Sequence, residues 1–153
     1  MTTPHEGAWE IEKYRFDTNG YNDGAVIAVV GLPRGSAMNA IPLSLSRINE
    51  ILARLDYFHG VAAETLEQLA LGTRQIALRR DTPVFRKGMP ADTLHIVVSG
   101  QVKVYLAPVN AGERVLALVE HGESLDVASV WLGESYLVNA ATKRDSYLLF
   151  IDR

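Results

Sequence analysis

Apolar residues recur at helical spacing in two segments between Ser44 and Gly72. In the first segment they return every three or four positions and share one helical face, which is formed by Leu45, Ile48, Ile51, Leu52, Leu55 and Phe58. This spacing predicts a helix that ends near His59 and Gly60. A second, shorter helix is predicted to end at Gly72 in a left-handed conformation. Its apolar side is formed by Leu66, Leu69 and Ala70.

Beyond the second helix the hydrophobic period falls from about 3.6 to about 2, which is typical of β-strands. The sequence TLHIVVSGQVKVYL alternates on either side of Ser99-Gly100 and predicts a tight hairpin. Further strands are predicted around Ile76 and Leu78, at Val84 and Phe85, and in ERVLALVEHGE, YLVNAAT and SYLLFID. Turn signals recur roughly every 8 to 12 residues without a long intervening helix. The pattern therefore predicts an antiparallel sandwich or roll rather than a parallel sheet.

Residues 1–43 follow neither period, because glycines and prolines interrupt every pattern before it completes a second helical turn. Within them, AVIAVV has the apolar, β-branched character of a buried strand. We therefore divide the chain into an atypical N-terminal extension, residues 1–43, and a domain at residues 44–153. An alternative is that translation naturally starts at Met38, so that the residues before it are a misassigned start or a cloning remnant.

Composition excludes several classes of site. The chain has 153 residues, of which 48% are hydrophobic and 22% charged, enough for a single buried core. A net charge of −3 does not suit a surface that neutralises many phosphates, so any DNA contact is expected from another segment. The absence of cysteine excludes disulfides, thiolate zinc sites, iron–sulfur clusters and a cysteine nucleophile.

The sequence also predicts a cytoplasmic protein with no membrane segment. The most apolar run, GAVIAVVGL, is far shorter than the roughly 20 residues that a membrane helix needs. The first residues carry acids where a secretory signal needs bases, and the lack of cysteine fits a reducing compartment.

The segment VFRKGMPADTLHIVVSGQVKVY, residues 84–105, carries a family resemblance. An aromatic residue, Gly88, an acidic turn, an apolar strand, Gly100 and an alternating strand follow one another, and the similarity continues over residues 112–153. In this order and spacing the chain resembles the cyclic-nucleotide-binding domain of Crp/Fnr transcription regulators, from about residue 45 to 153. The resemblance implies a mainly-β fold, an antiparallel β-roll (double-stranded β-helix or jelly roll) with flanking α-helices and a small-molecule pocket.

In nucleotide-binding members of that family, a loop and a short helix form the pocket floor. A Gly-Glu pair approaches the ribose there, and an Arg followed by Ser or Thr neutralises the cyclic phosphate. In HGESLDVASVWLGESYLVNAATK, Asp126-Val127 stands in place of the first pair and Leu137-Val138 in place of the second. A phosphate would forfeit charge-assisted bonds of about 1.5–3 kcal/mol each and meet an added carboxylate. We therefore expect no tight binding of cyclic AMP or cyclic GMP.

Because it lacks the Arg, the segment at residues 121–143 is more similar to the nitric-oxide-responsive and redox-responsive branches of the family, some of which bind haem. A pocket of this composition would suit an apolar or planar ligand. The candidate pocket residues are Asp126, Val127, Ala128, Trp131, Leu137, Val138 and Asn139. The alternative is that these side chains simply fill the roll.

Histidine is the residue type that could bind haem or a metal in this chain. His59 is the candidate haem ligand because it lies at the expected junction of helix and roll, whereas His95, between Leu94 and Ile96, is predicted to face solvent. Cupins share the roll, but their metal site needs a His-x-His pair, which is absent, and we expect no metal site. No serine lies in a nucleophile pattern with a base and an acid, so we expect no catalytic residues and no enzyme.

The resemblance implies an effector-sensing domain of a transcription regulator. In Crp/Fnr proteins the roll leads into a helix that pairs two subunits and then into a DNA-reading helix-turn-helix, whereas this chain ends where that helix would begin. We expect a sensor fragment or truncated frame with an unknown small-molecule effector, a homodimer in the full-length protein, and DNA contact only through a C-terminal domain absent here. The alternatives are a ligand-independent interaction or scaffold module, or a genuine cyclic-nucleotide-binding regulatory module.

Overall fold

The computed structural model describes residues 12–15, 26–30 and 42–153. These residues form two β-sheets and three α-helices, joined by turns and loops. The helices are α1 (Leu45–Ala53), α2 (Ala63–Gly72) and α3 (Val127–Leu132). The strands are β1 (Glu12–Arg15), β2 (Val26–Val30), β3 (Arg74–Leu78), β4 (Pro83–Phe85), β5 (Thr93–Ser99), β6 (Val102–Leu106), β7 (Arg114–Val119), β8 (Ser124–Leu125), β9 (Asn139–Thr142) and β10 (Ser146–Asp152).

The strands form a six-stranded sheet in the order β1-β2-β3-β10-β5-β8 and a four-stranded sheet in the order β4-β9-β6-β7. Every pair is antiparallel except β2 with β3, which run parallel. The predicted mainly-β architecture with antiparallel sheets and flanking helices is confirmed, and β2 confirms the strand predicted in AVIAVV. Whether residues 1–43 are a separate extension stays a prediction.

The hairpin predicted about Ser99-Gly100 is wrong. β5 pairs with β10 and β8, whereas β6 pairs with β7 and β9, so the chain passes from one sheet to the other at this turn. Gly100 has φ 93°, and an added Cβ there would lie 2.3 Å from Ser146 Oγ. Alternation predicts that two segments are strands, but it carries no information about which strands pair.

The helix ends also differ from their predictions. α1 ends at Ala53, and a separate 3₁₀ turn covers Asp56–Phe58 because Leu55 between them is extended, with ψ 126°. α2 does end at Gly72, but Gly72 is not left-handed, and the next residue, Thr73, is extended. The apolar face of the first segment nevertheless lies inward as predicted.

A single apolar core joins both sheets to α1 and α2. Its members that are least exposed come from α1, from the six-stranded sheet, and from β6 and β9: Ile48, Leu52, Leu78, Ile96, Val97, Val102, Leu125, Ala140, Leu148 and Leu149. A buried amide fixes the approach to α1, because Gln75 Oε1 accepts from Leu43 N at 2.7 Å and Gln75 Nε2 donates to Leu43 O at 3.1 Å. The segment that leads into α1 is therefore bonded to β3.

Candidate functional site

The segment from Gly122 to Thr142, here called the cassette, contains β8, α3 and β9 and is organised around Asp126. Asp126 precedes α3 in a left-handed conformation, with φ 40° and ψ 50°. Such a conformation costs most residues roughly 1–2 kcal/mol, and Asp adopts it more readily because its short polar side chain can bond locally. The Asp126 carboxylate does so at the start of α3: Oδ1 accepts from Ser129 Oγ at 2.8 Å and from Ser129 N at 3.4 Å.

The second oxygen of the same carboxylate reaches the far side of the cassette. Asp126 Oδ2 accepts from Leu137 N at 3.4 Å, so one side chain bonds the helix start and the segment that leads into β9. The resemblance predicts a glycine and an arginine at these two positions in nucleotide-binding members. The structure thus brings Asp126 and Leu137 together, with a carboxylate rather than a cation between them.

The other candidate pocket residues do not face one enclosed space. Trp131 is 56% exposed and Leu137 62%, and Ala128 is also exposed. Val127 and Val138 are half-buried and pack against the apolar core. Asn139 Oδ1 accepts from Lys87 N at 2.9 Å, so this amide holds the loop after β4. Their role in ligand binding stays a prediction.

Three aromatic rings connect α3 to the 3₁₀ turn after α1. The Trp131 ring lies 5.6 Å from the Tyr57 ring in an edge contact and 6.3 Å from the Phe58 ring. The Tyr57 hydroxyl shares a 2.5 Å hydrogen bond with Ser124 Oγ in β8. Burial raises the pKa of Tyr57, and the bond to Ser124 opposes that rise, so the group is a neutral phenol at neutral pH. Tyr57 lies outside the apolar face predicted for the first segment, so no pattern in the sequence marked it as a contact of α3.

His59, the candidate haem ligand, is an exposed residue at the end of the 3₁₀ turn. Beside it, the rings of Tyr57, Phe58 and Trp131 pack on one another. Haem binding at His59 stays a prediction.

The prediction that His95 faces solvent is wrong. His95 is only 3% exposed, and its ring lies 4.3 Å from the Phe150 ring and 5.2 Å from the Phe85 ring. Its strand, β5, lies between β10 and β8 and is covered on both faces, so alternate residues do not reach water. Burial, assisted by the charge of Arg74, lowers the pKa of His95 to about 3. Its Nδ1 is buried without a hydrogen-bond partner among the described residues.

Tyr136 stacks on Phe85 beside this histidine, with ring centroids 3.9 Å apart. Its hydroxyl donates to Thr93 O at 2.6 Å, and burial raises its pKa to about 12. Tyr136 directly precedes Leu137, whose N–H donates to the Asp126 carboxylate. The stacking of Tyr136 on Phe85 therefore helps to position Leu137. The core under the cassette is thus neutral and apolar.

The other end of α3 contacts the end of β10. Gly133 follows α3 with φ 67°, and an added Cβ there would lie 2.1 Å from Nη1 of Arg153. The Arg153 main-chain N–H donates to Asp92 O at 2.8 Å. A guanidinium at a helix C-terminus is favourable because it faces the negative end of the helix dipole. This contact was not predicted, and Gly133 is its local signal in the sequence.

Within the described residues, no three side chains of the metal-binding types cluster closely enough to hold an ion. None of the helices described here combines the length and the apolar character needed to span a bilayer.

Residues 75–153 match the cyclic nucleotide-binding domain family, and the chain belongs to that family. A curated relative, the CRP-like cAMP-activated global transcriptional regulator of Mycobacterium tuberculosis, is 29% identical over 84 residues, which are 55% of this chain and 38% of the relative. The chain therefore aligns with less than half of that protein's length.

Solved structures show the same fold. The cyclic nucleotide-binding-like protein from Brucella abortus is 24% identical with a TM-score of 0.63, covering 70% of this chain and 91% of that one. The sensor domain of the transcriptional regulator DNR from Pseudomonas aeruginosa is 21% identical with a TM-score of 0.66, covering 71% of this chain and 73% of that one.

Proposed function

We propose that residues 44–153 are the effector-sensing domain of a Crp/Fnr-type transcription regulator, and that the effector is not a cyclic nucleotide. The observation that carries this proposal is the position of the Asp126 carboxylate, bonded to Ser129 and to Leu137 N. In the nucleotide-binding members that the chain resembles, the corresponding loop and helix offer their amides to the cyclic phosphate. Here a carboxylate of the chain itself occupies them.

The charge balance of the cassette supports the exclusion of nucleotides. No Arg, Lys or His stands between Glu123 and Thr142 in the sequence. A phosphate diester entering beside Asp126 would gain no cation and would meet a carboxylate at close range. Each lost charge-assisted bond is worth about 1.5–3 kcal/mol, so two such losses reduce affinity about 100-fold or more.

The contacts of α3 suggest how an effector would be sensed. At its outer side Trp131 is exposed yet touches the 3₁₀ turn, and at its C-terminal end Gly133 touches Arg153. An apolar effector that binds Trp131 and shifts α3 would change the contact at Arg153, where the family's dimer helix begins. Such a shift requires that the effector binds more tightly to the protein with α3 shifted than to the protein with α3 in the position described here.

The wider assignment rests on similarity. The curated relative is described as a transcriptional regulator, and the Pseudomonas aeruginosa domain as the sensor domain of one. By analogy, we propose DNA contact through a separate domain, a homodimer in the complete protein, a cytoplasmic location and no catalytic activity. The branch lacking the phosphate-binding arginine, which includes nitric-oxide and redox sensors, fits this cassette best.

Isothermal titration calorimetry with cyclic AMP and cyclic GMP tests the proposal on the unmodified chain. We expect no saturable heat up to about 1 mM ligand, because the cassette offers no cation. A triple variant, Asp126→Gly with Leu137→Arg and Val138→Ser, restores the family's phosphate contacts and is expected to gain measurable affinity. Leu132→Arg, a cation at an exposed position of α3 outside these contacts, serves as the matched control. Micromolar binding by the unmodified chain would overturn the proposal.

A ligand-independent interaction module on the same fold is a second candidate. It is favoured by the closed packing of Tyr57, Phe58 and Trp131 and by the exposed apolar side chains Leu132, at 70%, and Leu137, at 62%. Trp131 fluorescence, titrated with haem and with small apolar compounds, separates the two. A saturable change in fluorescence that is lost in Trp131→Ala supports an effector-sensing domain. No change in fluorescence with any of the compounds supports a ligand-independent interaction module.

A further inference from the structure

A groove lies between α1, the end of β5 and the turn that follows β7. Its lining is mainly apolar but carries two arginines and a histidine: Arg47, Ile51, Arg54, Leu55, Val97 and His121. None of the described residues that line it is acidic. Its volume of about 50 Å³ has room for a few water-sized groups or a chain of about four carbons. The groove meets the cassette only at Gly122, so it is separate from the site at Asp126.

The wall of the groove at α1 carries its positive charge. Arg47, Ile51 and Arg54 are spaced by four and three residues, so they share one side of the helix and its C-terminal end. Arg47 Nη1 bonds Glu50 Oε2 at 2.7 Å, but both side chains of this pair are about half exposed, so the pair contributes little. The Arg54 side chain has no hydrogen bond or ion pair with the described residues. Its guanidinium therefore has donors available for a ligand.

Hydrogen bonds hold the opposite wall of the groove in place. Gly122 N donates to Val97 O, and Val97 N donates to Glu123 O, both at 2.9 Å. The His121 ring bonds Val98 O through Nδ1 at 2.5 Å, and Nδ1 is the donor because a carbonyl oxygen only accepts. The turn after β7 is thereby bonded to β5 by both its main chain and a side chain. A wall that is formed before a ligand arrives lowers the cost of ordering the site on binding.

We propose that this groove binds a small amphiphilic carboxylate, with the carboxylate on Arg54 and a short aliphatic chain on Ile51, Leu55 and Val97. A guanidinium presents paired N–H donors that match the two oxygens of a carboxylate. The apolar lining removes the chain from water, a gain that an inorganic anion would not have. Because arginines line the groove and acids do not, it favours an anion over a cation. The site lies outside the contacts of Asp126, so this proposal is independent of the effector proposal.

A nuclear magnetic resonance titration of the full chain with pentanoate, at constant ionic strength, tests the proposal. We expect saturable shifts of the Arg54, Val97 and Gly122 amides. The expected dissociation constant is about 1–10 mM, the range for a ligand of about seven non-hydrogen atoms in an open groove. Acetate lacks the aliphatic chain and pentanamide lacks the charge, so each is expected to bind at least about fivefold more weakly than pentanoate.

A matched pair of variants tests the role of Arg54. Arg54→Gln removes the charge and keeps a long polar side chain, and it is expected to weaken pentanoate binding at least about fivefold. Arg86→Gln makes the same change at an exposed residue outside the groove and is expected to leave the affinity unchanged. Circular dichroism checks that both variants are folded.

Four results would each overturn the proposal. They are no saturable shift up to about 50 mM pentanoate, equal affinities for pentanoate and either acetate or pentanamide, equal affinities of the two variants, and shifts confined to Ser129 and Leu137. The last result would place the ligand in the cassette, and it would therefore bear on the effector proposal rather than on this groove.

Discussion

Asp126 determines the electrostatic character of the cassette. The left-handed backbone that a glycine would provide is stabilised here by bonds from the carboxylate to Ser129 and Leu137. One residue therefore both shapes the loop and places a negative charge where the resemblance locates a phosphate. The missing cation could be predicted from the sequence, but the closure onto Leu137 could not, because it depends on a backbone conformation that is rare for Asp.

Substitution of Asp126 separates shape from charge. Asp126→Ala keeps the unfavourable left-handed backbone and loses the cap, so we expect a loss of about 1–3 kcal/mol in the free energy of unfolding. Asp126→Asn tolerates the same backbone and still accepts from Ser129, so its loss is expected to be at most about half as large. Urea denaturation measures both, and equal losses in the two variants would show that the cap has no structural role.

His95 makes stability depend on pH. Its folded pKa of about 3 lies below the ordinary value of 6.5, so the folded state holds the neutral ring. Its contribution is therefore complete above about pH 6.5 and is lost as the pH falls towards 3, by up to about 1.4 kcal/mol per pH unit.

The variant His95→Phe removes this titration while filling the aromatic cluster. We expect its free energy of unfolding to fall less steeply than that of the parent protein between pH 6.5 and about 4.5, measured by urea denaturation at each pH. If the free energy of unfolding depended on pH equally in the two proteins, protonation of His95 would not destabilise the folded state. The sequence suggested a solvent-facing residue because alternation cannot show that both faces of β5 are covered.

Among the secondary-structure elements, the turn between β5 and β6 decides how the two sheets connect. Local periodicity predicted both strands, yet their pairing depends on the close approach of Gly100 to Asp145 and Ser146, residues far along the chain. For the same reason the sequence predicted the apolar face of α1 but not its end at Ala53, where Leu55 turns to the extended conformation. Contacts between distant residues override local pattern at both places.

Gly100→Ala tests the turn. Its Cβ would lie 2.6 Å from Asp145 O, a main-chain atom that cannot move aside cheaply, and the backbone has φ 93°. We expect a loss of about 3 kcal/mol or more in the free energy of unfolding. Gly112→Ala is the control, since it has φ 68° and no atom within 4 Å of the added Cβ, and it should lose only about 1 kcal/mol. Similar losses of stability in Gly100→Ala and Gly112→Ala would show that the close approach of Gly100 to Asp145 does not affect stability.

Across the whole molecule, α3 joins three regions of the fold. Its start is held by Asp126, its outer side by Tyr57 and Phe58, and its end by Arg153. The family, the mainly-β fold and the position of the cassette could be predicted from turn glycines and alternating strands. The contact between Gly133 and Arg153 could not, because it brings a side chain at the end of the chain against the main chain of a distant residue, without a sequence pattern.

Gly133→Ala probes that connection. The added Cβ would displace the Arg153 guanidinium, a flexible group, so most of the expected cost of about 1 kcal/mol comes from the left-handed backbone. We expect nuclear magnetic resonance shifts at Arg153 and Asp92 as well as in α3. Shifts confined to α3 would show that its end is not coupled to the end of β10.

We propose that the Asp126 carboxylate closes the cassette to cyclic nucleotides. The most direct measurement follows the amide resonances of Ser129 and Leu137 in the unmodified protein while cyclic AMP is added up to about 1 mM. We expect neither resonance to move in a saturable way. Saturable shifts of both amides at micromolar cyclic AMP would contradict it.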